Sequence, residues 1–197
     1  MKNFGVLLFL MLSQFGFSQE NHKDTFRNKG YFNITRIGYV SVSKIDQDVF
    51  IAGEGNFSFE LDAPDARAYS LQTINGYFFG PYFSAGIGIG LDGYHEPNIN
   101  TLPVFLDLRA YLSDNYNTPF LFLDWGTLLA ASDTFQKGNL FNIGVGYKVF
   151  ISKKKRIALT PEFGYSMKNI SLTDESVRAS DNTVNISGLH FALGITF

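Results

Sequence analysis

The sequence predicts an all-β protein, an eight-stranded antiparallel up-and-down barrel with short turns at one end and longer loops at the other. Stretches of about ten residues alternate apolar with small or polar side chains, which is the pattern of a strand with one apolar face. Turn-forming residues separate these stretches. The chain of 197 residues has 21 Phe, 10 Tyr and 19 Gly. Its 17% of charged residues is below the roughly 25% of soluble domains.

The first residues have the pattern of a secretory signal peptide. Lys2 supplies a positive charge, residues 4–12 are an apolar core, and Gly16 and Ser18 are small residues before a cleavage site. The apolar run is too short to cross ~30 Å of hydrocarbon as a helix. We therefore expect a signal peptide at 1–18, a periplasmic N-terminal tail at 19–29 and an outer-membrane β-barrel domain at 30–197.

The strands follow one another at regular spacing. The closing strand alternates apolar and small or polar residues up to the terminal Phe197, and residues 102–112 show the cleanest alternation of all. In the first predicted strand the alternation of apolar and polar residues is irregular, so the sequence does not assign its faces. The predicted strands cover residues 30–42, 69–79, 82–91, 102–112, 120–129, 140–151, 156–168 and 188–197.

The connections alternate in length. Short turns are expected at 80–81, 113–119 and 152–155, and longer polar connections at 43–68, 92–101, 130–139 and 169–184. Transmembrane barrels have short periplasmic turns and longer outer loops. An even number of strands then places both chain ends on the short-turn side.

Charge placement separates a membrane barrel from a soluble one, because both alternate. Asp107 and Arg109 share one face of their strand, and Lys148 and Glu162 lie opposite the aromatic face of theirs. A wholly apolar outer face would cause aggregation in water, so this face is predicted to contact lipid and the charged face to line the lumen. The aromatic residues expected in the interface girdles are Tyr82, Tyr111, Phe120, Tyr147 and Phe197.

Five charged residues are predicted to face inward and form ion pairs: Asp107, Arg109, Asp124, Lys148 and Glu162. A turn centred near Lys155 pairs Lys148 with Glu162, and the neighbouring hairpin brings Asp107 or Arg109 close to Asp124. Opposite charges on adjacent strands are mutually favourable. The alternative is that lumen water solvates each charge separately.

The sequence indicates no catalytic, cofactor-binding or metal site. It has no Cys and a net charge of -2, which argues against thiolate chemistry and nucleic-acid binding. His190 lacks the serine and acidic partners of a nucleophilic triad. The glycines at 86–90 alternate with Ile inside a strand with no helix following, unlike a dinucleotide loop, so they are expected to make room for large neighbours. The acidic stretch 43–68 lacks calcium-loop spacing.

Several segments resemble small outer-membrane β-barrel proteins of the Bacteroidetes type. They are residues 70–77, 86–90, 106–109 and 144–148, together with the terminal Phe197. The resemblance implies outer-membrane residence after signal-dependent export, contact with outer-membrane lipid, and a Phe197 read by the outer-membrane assembly machinery. It implies no catalytic residue.

Three functions follow from this fold. The leading one is a non-enzymatic barrel with a structural or surface-interaction role, because side chains just fill the interior of eight strands. The alternatives are a barrel enzyme that modifies outer-membrane lipid and a narrow channel. The surface ligand or partner is not indicated.

Overall fold

The computed structural model describes residues 28–51, 53–61, 65–95, 99–130, 135–151, 157–172 and 179–197. The predicted signal peptide at 1–18, the tail up to residue 27 and the turn at 152–155 lie outside the described residues. One antiparallel sheet contains the strands β1 (Gly30–Ile51), β2 (Gly55–Glu60), β3 (Arg67–Phe78), β4 (Phe83–His95), β5 (Asn100–Tyr111), β6 (Thr118–Ala130), β7 (Phe135–Phe150), β8 (Ala158–Leu172) and β9 (Ala179–Thr196). In the described part of the chain, no helix is long and apolar enough to span a membrane.

The sheet closes into a barrel because β1 pairs with β9. β1 is long enough to pair with β3 along its first half and with β2 along its last six residues. β2 and β3 therefore share one position in the ring, and the barrel has eight positions, as predicted. A path that starts at Thr35 on β1 and goes from each residue to its paired residue on the next strand returns to β1 at Asp46. This stagger requires the strands to tilt against the barrel axis.

The alternation in sequence becomes an inner and an outer wall. In β5, Asp107 and Arg109 are buried, whereas Leu106 and Leu108 are 39% and 40% exposed. The charged face thus points inward and the apolar face outward. The girdle prediction is wrong for Tyr111 and Phe120, which are 4% and 1% exposed: they share the inward parity of the charges on β5 and β6.

Three of the predicted long loops are shorter than expected. The 92–101 connection is shortened because β4 continues to His95 and β5 starts at Asn100, the 130–139 connection because β7 starts at Phe135, and the 169–184 connection because β8 continues to Leu172 and β9 starts at Ala179. The stretch 43–68 is largely the hairpin of β1 and β2. Pairing with a neighbour satisfies the backbone of a strand beyond its apolar part, so hydropathy does not mark the strand's end.

Both described chain ends lie at the same end of the barrel. Asn33 and Phe197 exchange backbone hydrogen bonds, with N···O distances of 3.2 and 2.9 Å. The short connections 79–82 and 112–117 are also here, so we call this the turn end. The opposite end, with the β1–β2 hairpin, is the loop end.

Candidate functional site: the charged barrel interior

Eight of the described charged side chains are buried in the interior of the barrel, in three layers. The central cluster contains Arg36, Asp107, Arg109, Asp124 and Glu162. A loop-end pair and a single turn-end lysine lie on either side of it. The members outside the central cluster are Asp92, Lys168 and Lys148.

Arg36 of β1 reaches across the lumen. Its Nη2 donates to Asp124 Oδ2 on β6 at 2.5 Å, and its Nη1 donates to Glu162 Oε2 on β8 at 2.9 Å. All three side chains have 0% exposure. A guanidinium suits this position because its planar donors can serve two carboxylates at once. One side chain therefore ties three separate parts of the wall together.

Arg109 forms the second centre of the cluster. Its Nε lies 2.9 Å from Oδ1 of Asp107 on the same strand, and its Nη2 lies 3.0 Å from Oδ2. Arg109 Nη1 is also 2.8 Å from Glu162 Oε1, an ion-pair contact without hydrogen-bond geometry. Glu162 thereby links the two arginines.

Aromatic rings and glycines fill the space around the guanidinium groups. Arg36 lies over the Phe105 ring at 5.3 Å from its centroid, and Arg109 lies over Phe120 at 5.0 Å. A Cβ on Gly88 would be 2.2 Å from Phe105 Cζ, and one on Gly146 would be 2.3 Å from Phe120 Cζ. The predicted steric role is therefore confirmed for Gly88.

The loop-end layer is an ion pair joined to the central cluster. Lys168 Nζ donates to Asp92 Oδ2 at 2.5 Å and lies 4.9 Å from the centroid of the Tyr94 ring. Gln72 connects the layers, since its Nε2 donates to Asp92 Oδ1 at 3.3 Å and its Oε1 accepts from Arg36 Nε at 2.7 Å. The network is thus continuous from the loop-end half of the barrel to its centre.

Lys148 occupies the turn-end layer, and its predicted pairing with Glu162 is wrong. The β7–β8 ladder places Gly146 opposite Glu162, so Lys148 lies two residues nearer the turn end. Its Nζ donates to Asn28 Oδ1 and lies 4.9 Å from the centroid of Tyr111. Asn28, assigned to the periplasmic tail, is 1% exposed and also donates to Pro81 O at 2.8 Å. Asn28, in the described part of the predicted tail, therefore lies in the turn end of the barrel.

The predicted lumen residues are all buried in the interior, but not as one set. Asp107, Arg109, Asp124 and Glu162 lie in the central cluster, and Lys148 does not. The predicted proximity of Asp107 to Asp124 is found in the register of β5 and β6. Phe197 lies at the turn end and is 43% exposed.

Sequence reasoning missed Arg36, Gln72 and Asp92 as members of this network. Alternation around Arg36 is blurred because Asn33 and Thr35, both outward, are polar: Asn33 Nδ2 donates to Asn75 Oδ1 on the outer wall at 2.9 Å. Asp92 was assigned to a loop. Arg36 follows the apolar residues Phe32 and Ile34 at intervals of two, and this parity was the signal that could have placed Arg36 inside.

The interior offers little to support catalysis. His190 is 3% exposed, and its Nε2 has no hydrogen-bond partner among the described atoms. Ser187 lines a shallow depression on the outer wall beside Trp125 and Met167, so it lies on the other side of the sheet from His190. Within the residues described, no group of three or more His, Cys, Asp or Glu side chains could hold a metal ion.

No protein-family model and no curated protein matches the sequence. Among solved structures, the barrel is similar to the outer membrane protein OprG from Pseudomonas aeruginosa, with a TM-score of 0.56 and 12% identity over 87% of this chain and 97% of that chain. It is also similar to Neisserial surface protein A, with a TM-score of 0.50 and 12% identity over 85% of this chain and 98% of that chain. At this level of identity the similarity concerns the fold, and the chain has the closed eight-stranded fold of these outer-membrane barrels.

Proposed function

We propose that the chain is a non-enzymatic integral outer-membrane barrel of the Bacteroidetes type, exported through its signal peptide and closed by its charged interior. In this proposal its role is structural or in surface interaction, and the turn end faces the periplasm.

The observation that carries the proposal is an apolar band around the whole outer wall. Each of the eight positions of the ring exposes at least one large apolar side chain near mid-strand. In water this band would be far larger than the exposed apolar patches of soluble monomers, whereas lipid would cover it. One example from each position is Ile37 at 60%, Leu71 at 43%, Ile87 at 67%, Leu106 at 39%, Leu121 at 49%, Val145 at 52%, Phe163 at 48% and Phe191 at 43%.

The central cluster favours the hypothesis of a closed barrel and argues against a narrow channel. Arg36 spans from β1 to β6 and β8, and Arg109, Asp124 and Glu162 have 0% exposed side chains. An ion-conducting path would need these charges to be in contact with continuous water. The separation of His190 from Ser187 by the sheet argues against a Ser187–His190 catalytic pair in a lipid-modifying enzyme, because a nucleophile and its base must be within hydrogen-bond reach.

Conductance in planar bilayers tests the closed interior. The wild-type chain should show no steady conductance, and a variant with Arg36, Asp124 and Glu162 all changed to Ser should conduct. Lys44→Ser is the control, because its ion pair with Asp46 is exposed at the loop end. Steady wild-type conductance would favour the channel. Altered outer-membrane lipids in cells that lack the protein, restored by wild type and not by His190→Phe, would favour the enzyme.

A further inference from the structure

Within the part of the chain that the structure describes, the β1–β2 hairpin leaves one sheet edge unpaired at the loop end. Among the described strands, β2 pairs only with β1. β3 occupies the same ring position as β2 but lies nearer the turn end. The β3–β4 ladder reaches no further toward the loop end than Arg67 and His95. Among the described residues, the outer side of β2 therefore has no neighbour beyond the end of β4. An unpaired edge presents backbone donors and acceptors that another extended chain can use.

The backbone groups that face this edge can be identified. Leu61 N donates to Ile45 O of β1 at 2.9 Å. Alternate amides of a strand point to the same side, so Phe57 and Phe59 also direct their N–H groups to β1. The N–H groups of Asn56, Ser58 and Glu60 consequently point to the free edge.

The two faces of the hairpin differ in chemistry. On one face, Phe57 and Phe59 are 38% and 54% exposed, opposite Val49 and Gln47. On the other face, Glu60 lies opposite Asp46, and Ser58 donates to Asp48 Oδ1 at 2.7 Å. A strand added to β2 would place alternate side chains beside the phenylalanines and beside the carboxylates.

Acidic side chains outnumber basic ones around the hairpin. Among the described residues from 44 to 67, the acidic residues are Asp46, Asp48, Glu54, Glu60 and Asp65, and the basic ones are Lys44 and Arg67. Lys44 is already paired with Asp46 at 2.8 Å. The surface is thus complementary to a cationic partner.

We propose that the free edge of β2 binds an extended segment of another protein by strand addition, and that this segment alternates basic with apolar residues. Main-chain hydrogen bonds to Asn56, Ser58 and Glu60 supply the register. Apolar side chains contact Phe57 and Phe59, while basic ones face Glu60 and Asp48. This proposal rests on the proposed surface-interaction role and specifies the chemistry of the partner.

A labelled peptide of alternating lysine and valine, as long as the six residues of β2, tests strand addition. Fluorescence anisotropy is measured with the full mature chain in phosphatidylcholine nanodiscs. Wild type and Ser58→Ala should bind saturably, and Ser58→Pro should bind about tenfold more weakly or worse. Both substitutions remove the hydroxyl, but only proline removes the outward N–H, so they are a matched pair. Equal binding by the two variants, or no saturable binding by wild type, overturns the proposal.

A second variant tests the proposed charge complementarity between the hairpin and its partner. It also distinguishes a loss of charge complementarity from a misfolded hairpin, because a misfolded hairpin would not gain binding of another peptide. Glu60→Lys should weaken binding of the lysine peptide about tenfold and allow a glutamate–valine peptide to bind. Equal binding of both peptides to wild type overturns the basic partner. Wild-type dimers in sedimentation that dissociate in Ser58→Pro would show a second copy of this chain at the edge and overturn the proposed partner. Conductance and membrane insertion of the wild-type chain are measured separately. A failed peptide test would therefore contradict strand addition and not the proposed closed barrel.

Discussion

Asp107 on β5 and Asp124 on β6 are directly opposite each other across the sheet, and both have 0% exposure. Like charges in such positions repel. The repulsion is offset because each carboxylate is bonded to a different arginine: Asp107 to Arg109 on its own strand and Asp124 to Arg36 from across the barrel. Asn142 Nδ2 adds a hydrogen bond to Asp124 Oδ2 at 3.0 Å. Neither arginine can be removed without leaving a buried carboxylate short of its partner.

Arg36→Met should therefore destabilise the barrel strongly. The change leaves Asp124 with only the hydrogen bond from Asn142 and one oxygen of Glu162 without its donor, and breaking a buried ion pair costs about 3–5 kcal/mol. Urea unfolding in lipid vesicles measures the free energy of unfolding. Lys44→Met is the matched control, since its pair with Asp46 is exposed and is expected to contribute little to the free energy of unfolding. Similar losses in the two variants would contradict a structural role for the central cluster.

Double-mutant cycles should show that Glu162 interacts with Arg109 and not with Lys148. Arg109→Met and Glu162→Gln should couple by about 1 kcal/mol or more, because their charged groups are in contact at 2.8 Å. Lys148→Met and Glu162→Gln should be additive to within about 0.5 kcal/mol, because Lys148 is held instead by Asn28. Unfolding free energies of the single and double variants give both couplings. Strong Lys148–Glu162 coupling would argue for the register with Lys155 at the centre of the turn.

The sequence predicted the walls of the barrel better than the contacts between them. Parity alone decides which face Asp107 or Lys148 occupies, and a period of two survives small errors in strand boundaries. Pairing depends on register, and a difference of two residues in the β7–β8 hairpin moves Lys148 away from Glu162. The Arg36–Asp124 bond depends on ring closure, which no local pattern encodes. The β1–β2 hairpin was not predicted as one unit within residues 43–68, because its polar residues resemble those of a loop.

Gly88→Ala should destabilise the interior by steric overlap. A Cβ at this position would be 2.2 Å from Phe105 Cζ, and overpacking typically costs about 1–3 kcal/mol. The second change Phe105→Leu should restore part of the loss by vacating that space. Gly80→Ala is the control, because nothing lies within 4 Å of a Cβ there. Thermal unfolding followed by loss of the folded, faster-migrating band compares the three variants, and an unchanged Gly88→Ala protein would exclude tight packing at Phe105.

Phe197→Asp should reduce assembly of the barrel in the membrane. Phe197 closes the ladder through its two backbone bonds with Asn33, and its ring is 43% exposed at the turn end. Aspartate places a charge at the membrane interface and removes the terminal aromatic residue, while leaving the backbone bonds possible. Phe79→Asp is the matched control: this ring is 74% exposed at the same end of the barrel but lies in a turn. The measurement is the yield of heat-modifiable barrel in the outer-membrane fraction. A loss confined to Phe197→Asp supports recognition of the last strand, equal losses indicate only that charge is disfavoured at this depth, and equal full yields would contradict an assembly role for Phe197.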